Sequence, residues 1–390
     1  MASKPKTTHI PLAQPLLAGN EAKYVMDCLE TGWISSAGSY VTQFENMVAQ
    51  YAGAKYGVAC MNGTVGLHIA QVVLGVTEQD HVIAPNITFI ATLNAIKYTG
   101  AQPILIDVDP RNWQMDLDLL ETYLREQTQT ETKNNKVVTT DKTTGKRIRA
   151  IMPVHVLGNM GNMTRLQELA KAYHITIIED STEALGTTFK GQHAGTFGSM
   201  GVFSFNGNKI ISTGGGGVLV TNNEALAKRA KHLTTQAKVS AMEYIHDAIG
   251  YNYRLVNVLA AIGVAQMEQF PEILKAKRHM DAFYREQLRG VGDIKFQSVC
   301  NNTQTNGWLF TFSTKHMRAL LAYLNENGVQ SRPFWMPMNQ LEMFKNDRYI
   351  TKTDVSAHVY DTSISIPSSA GITPEQLETV VKTIKEFYDL

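Results

Sequence analysis

Cysteine is scarce in this sequence. Cys28, Cys60 and Cys300 stand far apart and form no Cys-x-x-Cys pair. That excludes a disulfide framework and a zinc site, and no metal is expected; the spacing suits a reducing compartment. Charge of one sign is also missing, since 36 basic and 35 acidic residues leave a formal net charge of +1. Such a balance gives no electrostatic basis for binding nucleic acid or an anionic membrane surface. No run approaches the ~18 apolar residues of a membrane span. The start, MASKPKTTHIPLAQPLL, lacks the apolar core of a signal peptide, so a soluble cytoplasmic protein is expected. Neither GxxxxGK[ST] nor GxGxxG occurs, which removes the two commonest nucleotide-binding loops.

What the sequence does have is alternation. HVIAP (81–85), PILIDVD (103–109), AIMPVHVLG (150–158), ITIIEDS (175–181), GVFSF (201–205) and GGVLVT (216–221) read as strands. Helical segments at 21–31, 40–52, 65–74, 88–100, 117–124, 163–174 and 224–235 precede, separate and follow them. Short β-branched runs alternating with helices of about a dozen residues predict an α/β fold with a mainly parallel central sheet. Residues 1–20, with Pro5, Pro11 and Pro15, read as an extended arm needing a surface to lie on. Residues 21–258 form the expected large domain. Within it, 125–149 holds seven threonines, ten charged residues and almost no large apolar ones, and reads as a polar insertion, hairpin or partly disordered. From 259 to 390 a smaller α+β domain is expected, beginning with two long helices, Asn257–Phe270 and Pro271–Gly290.

The chemistry gathers at strand ends, where parallel sheets bind ligands. VFSFNGNKIISTGGGG (202–217) sets one lysine, Lys209, between a strand and four glycines. In mostly apolar surroundings a lysine loses its charge more readily and becomes a nucleophile toward carbonyls; otherwise it is a solvated strand-end residue. Asn62-Gly63-Thr64 leads from a strand into a helix, either as an anion site on the helix N-terminus or as an ordinary cap. Asp180 and Glu183 follow one strand, Phe89 another, and His155 a third. A reactive lysine, a phosphate-type turn, a carboxylate and an aromatic ring are the set that pyridoxal phosphate (PLP) requires.

NGTVGLHIA (62–70), TFIATLNA (88–95), PVHVLGNMGNM (153–163), EDSTEALG (179–186), FSFNGNKIISTGGGG (203–217) and GYNYRL (250–255) resemble, in order, motifs of the DegT/StrS sugar-nucleotide aminotransferases. The resemblance implies the fold of the PLP-dependent transferases (fold type I, aspartate-aminotransferase-like). It implies that Lys209 joins the cofactor aldehyde and that Asp180 pairs with the pyridinium nitrogen. Phe89 would stack on the ring, and Gly63, Thr64 and Ser204 would hold the phosphate. Asn252 would reach the phosphate of a neighbouring subunit's cofactor, making the enzyme a homodimer with shared sites. Glu183 falls where the family often has glutamine or histidine, near the ring hydroxyl, and is a departure. Arg332, in SRPFWMP, is the candidate for the substrate diphosphate, with Trp33 and Ser35 at the sugar end. The expected reaction moves an amino group from L-glutamate to C4 of a UDP-linked 4-keto-6-deoxy-N-acetylhexosamine, for bacillosamine- or legionaminic-type sugars of surface polysaccharide or lipopolysaccharide. The alternatives are a GDP-linked 4-keto-6-deoxymannose, giving perosamine, or a PLP-binding regulator without turnover.

Overall fold

The computed structural model describes residues 9–133, 135–240 and 242–389. In chain order its first part runs α1 (Glu21–Thr31), α2 (Ser39–Ala52), β1 (Tyr56–Cys60), α3 (Gly63–Val73), β2 (Asp80–Pro85), α4 (Ala91–Tyr98), β3 (Gln102–Ile106) and α5 (Leu117–Gln127). There follow β4 (Thr128–Lys133), β5 (Lys136–Asp141), β6 (Arg147–Ile151), α6 (Met163–Ala172), β7 (Thr176–Asp180), β8 (Thr188–Phe189), β9 (Gln192–His193), β10 (Met200–Ser204), β11 (Gly217–Thr221) and α7 (Glu224–Thr234). The remainder is α8 (Asn257–Gln287), β12 (Lys295–Phe296), β13 (Thr303–Gln304), β14 (Thr311–Ser313), α9 (Met317–Glu326), β15 (Arg332–Pro333), β16 (Arg348–Ile350), α10 (Val355–Thr362), β17 (Ser363–Ser365) and α11 (Pro374–Asp389).

The large sheet has the order β1-β11-β10-β7-β6-β2-β3-β16. Only β11 along this path runs against its neighbours; β10, β7, β6, β2, β3 and β16 pair in parallel. The carboxyl ends of β1, β10, β7, β6 and β2 therefore open on one edge, which brings residues 61–64, 205, 181–183, 152–158 and 86–89 toward one another. β2 is buried at every position, as a strand covered on both faces by helices must be.

The 125–149 insertion forms a hairpin, with β4 paired to β5 and Thr140 of β5 opposite Arg147 of β6; Asn134 lies outside the described residues. Asp141 anchors it, buried, accepting from Tyr123 Oη at 2.9 Å and from Arg348 Nη1 at 2.5 Å. Of the N-terminal arm, residues 1–8 lie outside the described residues. Ile10 bridges Val329 in parallel, and the Leu12 and Gln14 amides donate to Gln330 Oε1 and Ser369 Oγ.

One expectation is overturned. The two helices predicted around Pro271 are a single helix, α8, with the proline inside it. Proline there removes one main-chain hydrogen bond, a cost of about 3 kcal/mol. Against that cost, Phe270, Ile273 and Leu274 all bury in the main core, and an unbroken helix keeps them on one face. α8 starts beside the expected 258/259 boundary and serves two cores. Ala260, Val264 and Phe270 pack with Phe44, Phe203 and Phe205, whereas Met280 and Tyr284 pack with Phe310, Phe312, Leu320 and Val380. Among the described residues no helix is long and apolar enough to cross a membrane.

Candidate active site

Lys209 sits on a loop closed at its neck by main-chain hydrogen bonds, Phe205 N to Gly216 O and Thr213 N to Phe205 O. Ile210 and Ile211 bury behind it and draw the lysine side chain inward, to 11% exposure. Three of the four glycines are sterically required, Gly216 because a Cβ there would overlap Thr213 Oγ1. Gly214 has a φ of +81°, and a Cβ on Gly217 would lie 2.6 Å from the Asn62 carbonyl oxygen. Gly215 is not confined in this way, its nearest neighbour being Met61 O at 3.8 Å from a built Cβ.

The phosphate-type turn does form the helix cap that was one of its two readings. Asn62 caps α3, its Oδ1 accepting from Val65 N at 3.0 Å. Gly63 then packs against β10, where a Cβ would come within 2.9 Å of Thr182 Cγ2 and 3.0 Å of Ser204 Cβ. The missing side chain leaves a cradle between a helix N-terminus and two hydroxyl-bearing residues, chemistry that suits a phosphate. Thr64 is half-buried on the first turn of α3.

Asp180 ends β7 and is buried. Its Oδ2 accepts from Thr92 Oγ1 at 2.6 Å and its Oδ1 from the Thr182 amide at 3.2 Å. Both partners are neutral, and among the described residues no cation lies within ion-pair reach of Asp180. A buried carboxylate without a countercharge is costly unless a cation arrives, and a protonated pyridine nitrogen is such a cation.

Glu183 is equally buried and lies next to the lysine: Lys209 Nζ is 3.7 Å from Glu183 Oε1, while Glu183 Oε2 accepts from Leu157 N at 2.8 Å. Leu157 adopts φ +60°, ψ 20°, a conformation rare for a residue with a side chain, and it aims its N–H at the carboxylate. Burial pushes the Glu183 carboxyl up to about 7, with Asp180 adding to the rise and Lys209 opposing it. A carboxyl poised near neutrality can carry a proton and so donate a hydrogen bond to an anionic oxygen.

Aromatic rings complete the wall. Lys209 Nζ lies 4.3 Å from the centroid of the Trp308 ring. Trp335 stands 6.4 Å from Trp308 and 6.4 Å from Phe89, ring to ring. Phe89 is more than half exposed. The carboxylate without a cation, the inward lysine, the glycine cradle and the aromatic face together fit pyridoxal phosphate.

The structure thus brings together Lys209, Asp180, Glu183, Gly63 and Ser204, and joins Phe89 to them through Trp335. Thr64 lies beside Gly63 at the start of α3, and the other predicted residues stand apart. Trp33 and Ser35 are exposed on a loop whose carbonyls accept from Asn257 Nδ2 and Asn257 N. Arg332 is exposed on β15, opposite Ser365, two residues before the stacked pair Phe334–Trp335. Asn252 is exposed and bridges Thr235. His155 is structural: its Nε2 lies 2.9 Å from Glu179 Oε2, on the buried side of β7. Thr92, Thr182, Leu157, Trp308 and Trp335 were not foreseen. Thr92 could have been, because it lies three residues after Phe89 on the face of a helix start.

Residues 15–385 match the DegT/DnrJ/EryC1/StrS aminotransferase family. The chain is 37% identical over 383 residues to the GDP-perosamine synthase of Escherichia coli O157:H7, covering 97% of this chain and 99% of the relative. It is 33% identical over 385 residues to the GDP-perosamine synthase of Vibrio cholerae, covering 97% and 99%. Among solved structures it is similar to the sugar aminotransferase CalS13 from Micromonospora echinospora, with a TM-score of 0.84, 25% identity, and coverage of 97% of this chain and 99% of that one. The chain belongs to the DegT/DnrJ/EryC1/StrS family and is a PLP-dependent sugar-nucleotide aminotransferase.

Proposed function

We propose that the chain transfers the amino group of L-glutamate to the C4 keto group of a GDP-linked 4-keto-6-deoxymannose. The observation that carries this choice of sugar is the similarity, along almost the whole chain, to GDP-perosamine synthases. It favours the GDP-linked sugar over the UDP-linked acetamido sugar, which becomes the second reading.

Bound PLP supplies an electron sink for the carbanion at the donor's α-carbon. Asp180 would hold the ring nitrogen, Gly63, Thr64 and Ser204 the phosphate, Phe89 one face, and Glu183 the ring hydroxyl. Lys209 Nζ would take the proton from the α-carbon of glutamate and pass it to the bound cofactor, and in the second half-reaction would take a proton back and deliver it to C4 of the sugar. Arg332 would bind the diphosphate, since a guanidinium binds phosphate oxygens in pairs; Trp33 and Ser35 would contact the sugar.

A homodimer is part of this reading, with Asn252 serving the neighbouring subunit's cofactor. It is supported by the exposure of Met242 (91%), Tyr244 (91%) and Ile249 (88%) just ahead of Asn252, apolar surface that a second copy would cover. The three free cysteines are in keeping with a cytoplasmic enzyme.

The test is a mass-spectrometric assay of the purified enzyme with glutamate and both keto sugars. Amination of the GDP-linked sugar is expected, with parallel initial-velocity lines from a ping-pong order. Amination of the UDP-linked acetamido sugar alone would transfer the assignment to the second reading.

A further inference from the structure

Trp308 is held more firmly than a core residue needs. Its indole Nε1 donates to Asn208 O at 2.8 Å, on the residue before Lys209. Its amide donates to Asn306 Oδ1 at 3.0 Å, and the same Asn306 donates to the carbonyls of Glu183 and Leu185 at 2.7 and 2.9 Å. Its carbonyl accepts from Lys277 Nζ at 2.5 Å.

Lys277 is the unexpected member. It projects from α8, is 2% exposed, and donates also to the carbonyl of Ser368. Among the described residues no carboxylate pairs with it, and Asp281, one turn along the helix, is taken by Arg285 at 2.8 Å. Burial lowers the Lys277 ammonium to about 7. An amine buried without a counterion is costly, and a methionine would fill the space without that cost. Its two carbonyl acceptors indicate what it does: it fixes the main chain at Trp308.

We propose that Trp308 seats the Lys209 ammonium whenever that lysine is not bonded to the cofactor, and that Lys277 and Asn306 are positioning residues that fix Trp308 for this purpose. The proposal rests on the reading of Lys209 as the cofactor lysine. The ammonium has two kinds of neighbour. Glu183 lies at 3.7 Å, with Asp180 near it, and the indole face lies at 4.3 Å on a ring that cannot titrate. The carboxyl side varies with pH; the indole does not titrate and attracts the amine for as long as the amine is charged.

The experiment uses the full chain in its pyridoxamine form. Borohydride reduction of the PLP form and peptide mapping first identify the lysine that carries the cofactor. An amine-reactive reagent then labels the pyridoxamine form across pH 6–10, with mass spectrometry following the Lys209 peptide. Trp308→Leu removes the ring and should raise Lys209 labelling near neutral pH about two- to thirtyfold, the span expected of a cation–π contact. Trp308→Phe keeps the core filled and should give a smaller rise. Lys277→Met should move the profile in the same direction. Tyr284→Phe, which removes the hydrogen bond from Tyr284 on α8 to Pro367 O, should leave it unchanged. If reduction places the cofactor on another lysine, the functional reading falls and this proposal with it. If the cofactor is on Lys209 but Trp308→Phe and Lys277→Met label as the wild type does, the proposal alone is overturned. An equal shift in Tyr284→Phe would mark a general loosening and remove the positioning role.

Discussion

Replacing Glu183 by glutamine should stabilise the cofactor-free chain by an amount that grows as pH rises from about 4.5 to 7 and then levels off. The folded-state value of this carboxyl is raised from an ordinary 4.5 to about 7, chiefly by burial. Below 4.5 the group is neutral in both folded and unfolded chains and contributes nothing to the difference. Between the two values the folded chain binds the extra proton, so stability falls as pH rises. Above about 7 the folded chain carries a buried carboxylate that the Lys209 ammonium, at 3.7 Å, only partly compensates. At about 1.4 kcal/mol per pH unit, the accumulated cost is about 3 kcal/mol. Glu183→Gln lacks this titration and keeps the acceptor for Leu157 N. Urea unfolding of both proteins at intervals from pH 4.5 to 8.5 should show the variant gaining on the wild type by about 3 kcal/mol, with most of the gain between pH 5 and 7. Titrating groups remote from Glu183 are common to both and cancel. A gap that stays constant with pH, or one that closes as pH rises, would refute the reasoning.

Three further outcomes are expected. Arg332→Ala should raise KM for the sugar nucleotide about 10- to 100-fold through loss of a charge-assisted pair, with the glutamate half-reaction unchanged; an unchanged KM removes Arg332 from the substrate site. Asp180→Asn should lower kcat at least about 100-fold, since removing one partner of a buried charge pair costs 3 kcal/mol or more, and cofactor retention on gel filtration should fall with it. Pro271→Ala should raise the urea midpoint, gaining up to about 3 kcal/mol from the restored hydrogen bond and relieved ring clash; a loss of stability would refute the cost assigned to the proline.

How much was legible depended on the range of the signal. Strand and helix runs such as HVIAP and MTRLQELAKAYH are local, and they reappear as β2 and α6 within a few residues. Lys209 and Asp180 were singled out because the chemistry calls for both at strand ends, and the parallel sheet places both at one edge. Pro271 misled because local propensity favours a break, whereas burial of Phe270 and Ile273 on one face decides for continuity. Trp308, Trp335 and Lys277 were illegible because their meaning lies in partners far along the chain. Nothing in the local pattern around Lys277 shows that its amine meets Trp308 O, 31 residues on, or Ser368 O, 91 residues on. β16 was missed for the same reason: three half-buried residues at a sheet edge carry almost no periodicity.

That edge strand bears on how the protein is made. Ile104, Leu105 and Ile106 of β3 have their outer partners in Arg348, Tyr349 and Ile350. On the ribosome, at about 5–20 residues per second, β3 would wait roughly 10–50 s for the strand that covers it. Over that interval a buried, apolar strand presents open hydrogen-bonding groups to any other chain. The nascent protein is thus exposed to edge-to-edge association until almost its whole length has been synthesised, and a truncation before residue 348 would make that exposure permanent.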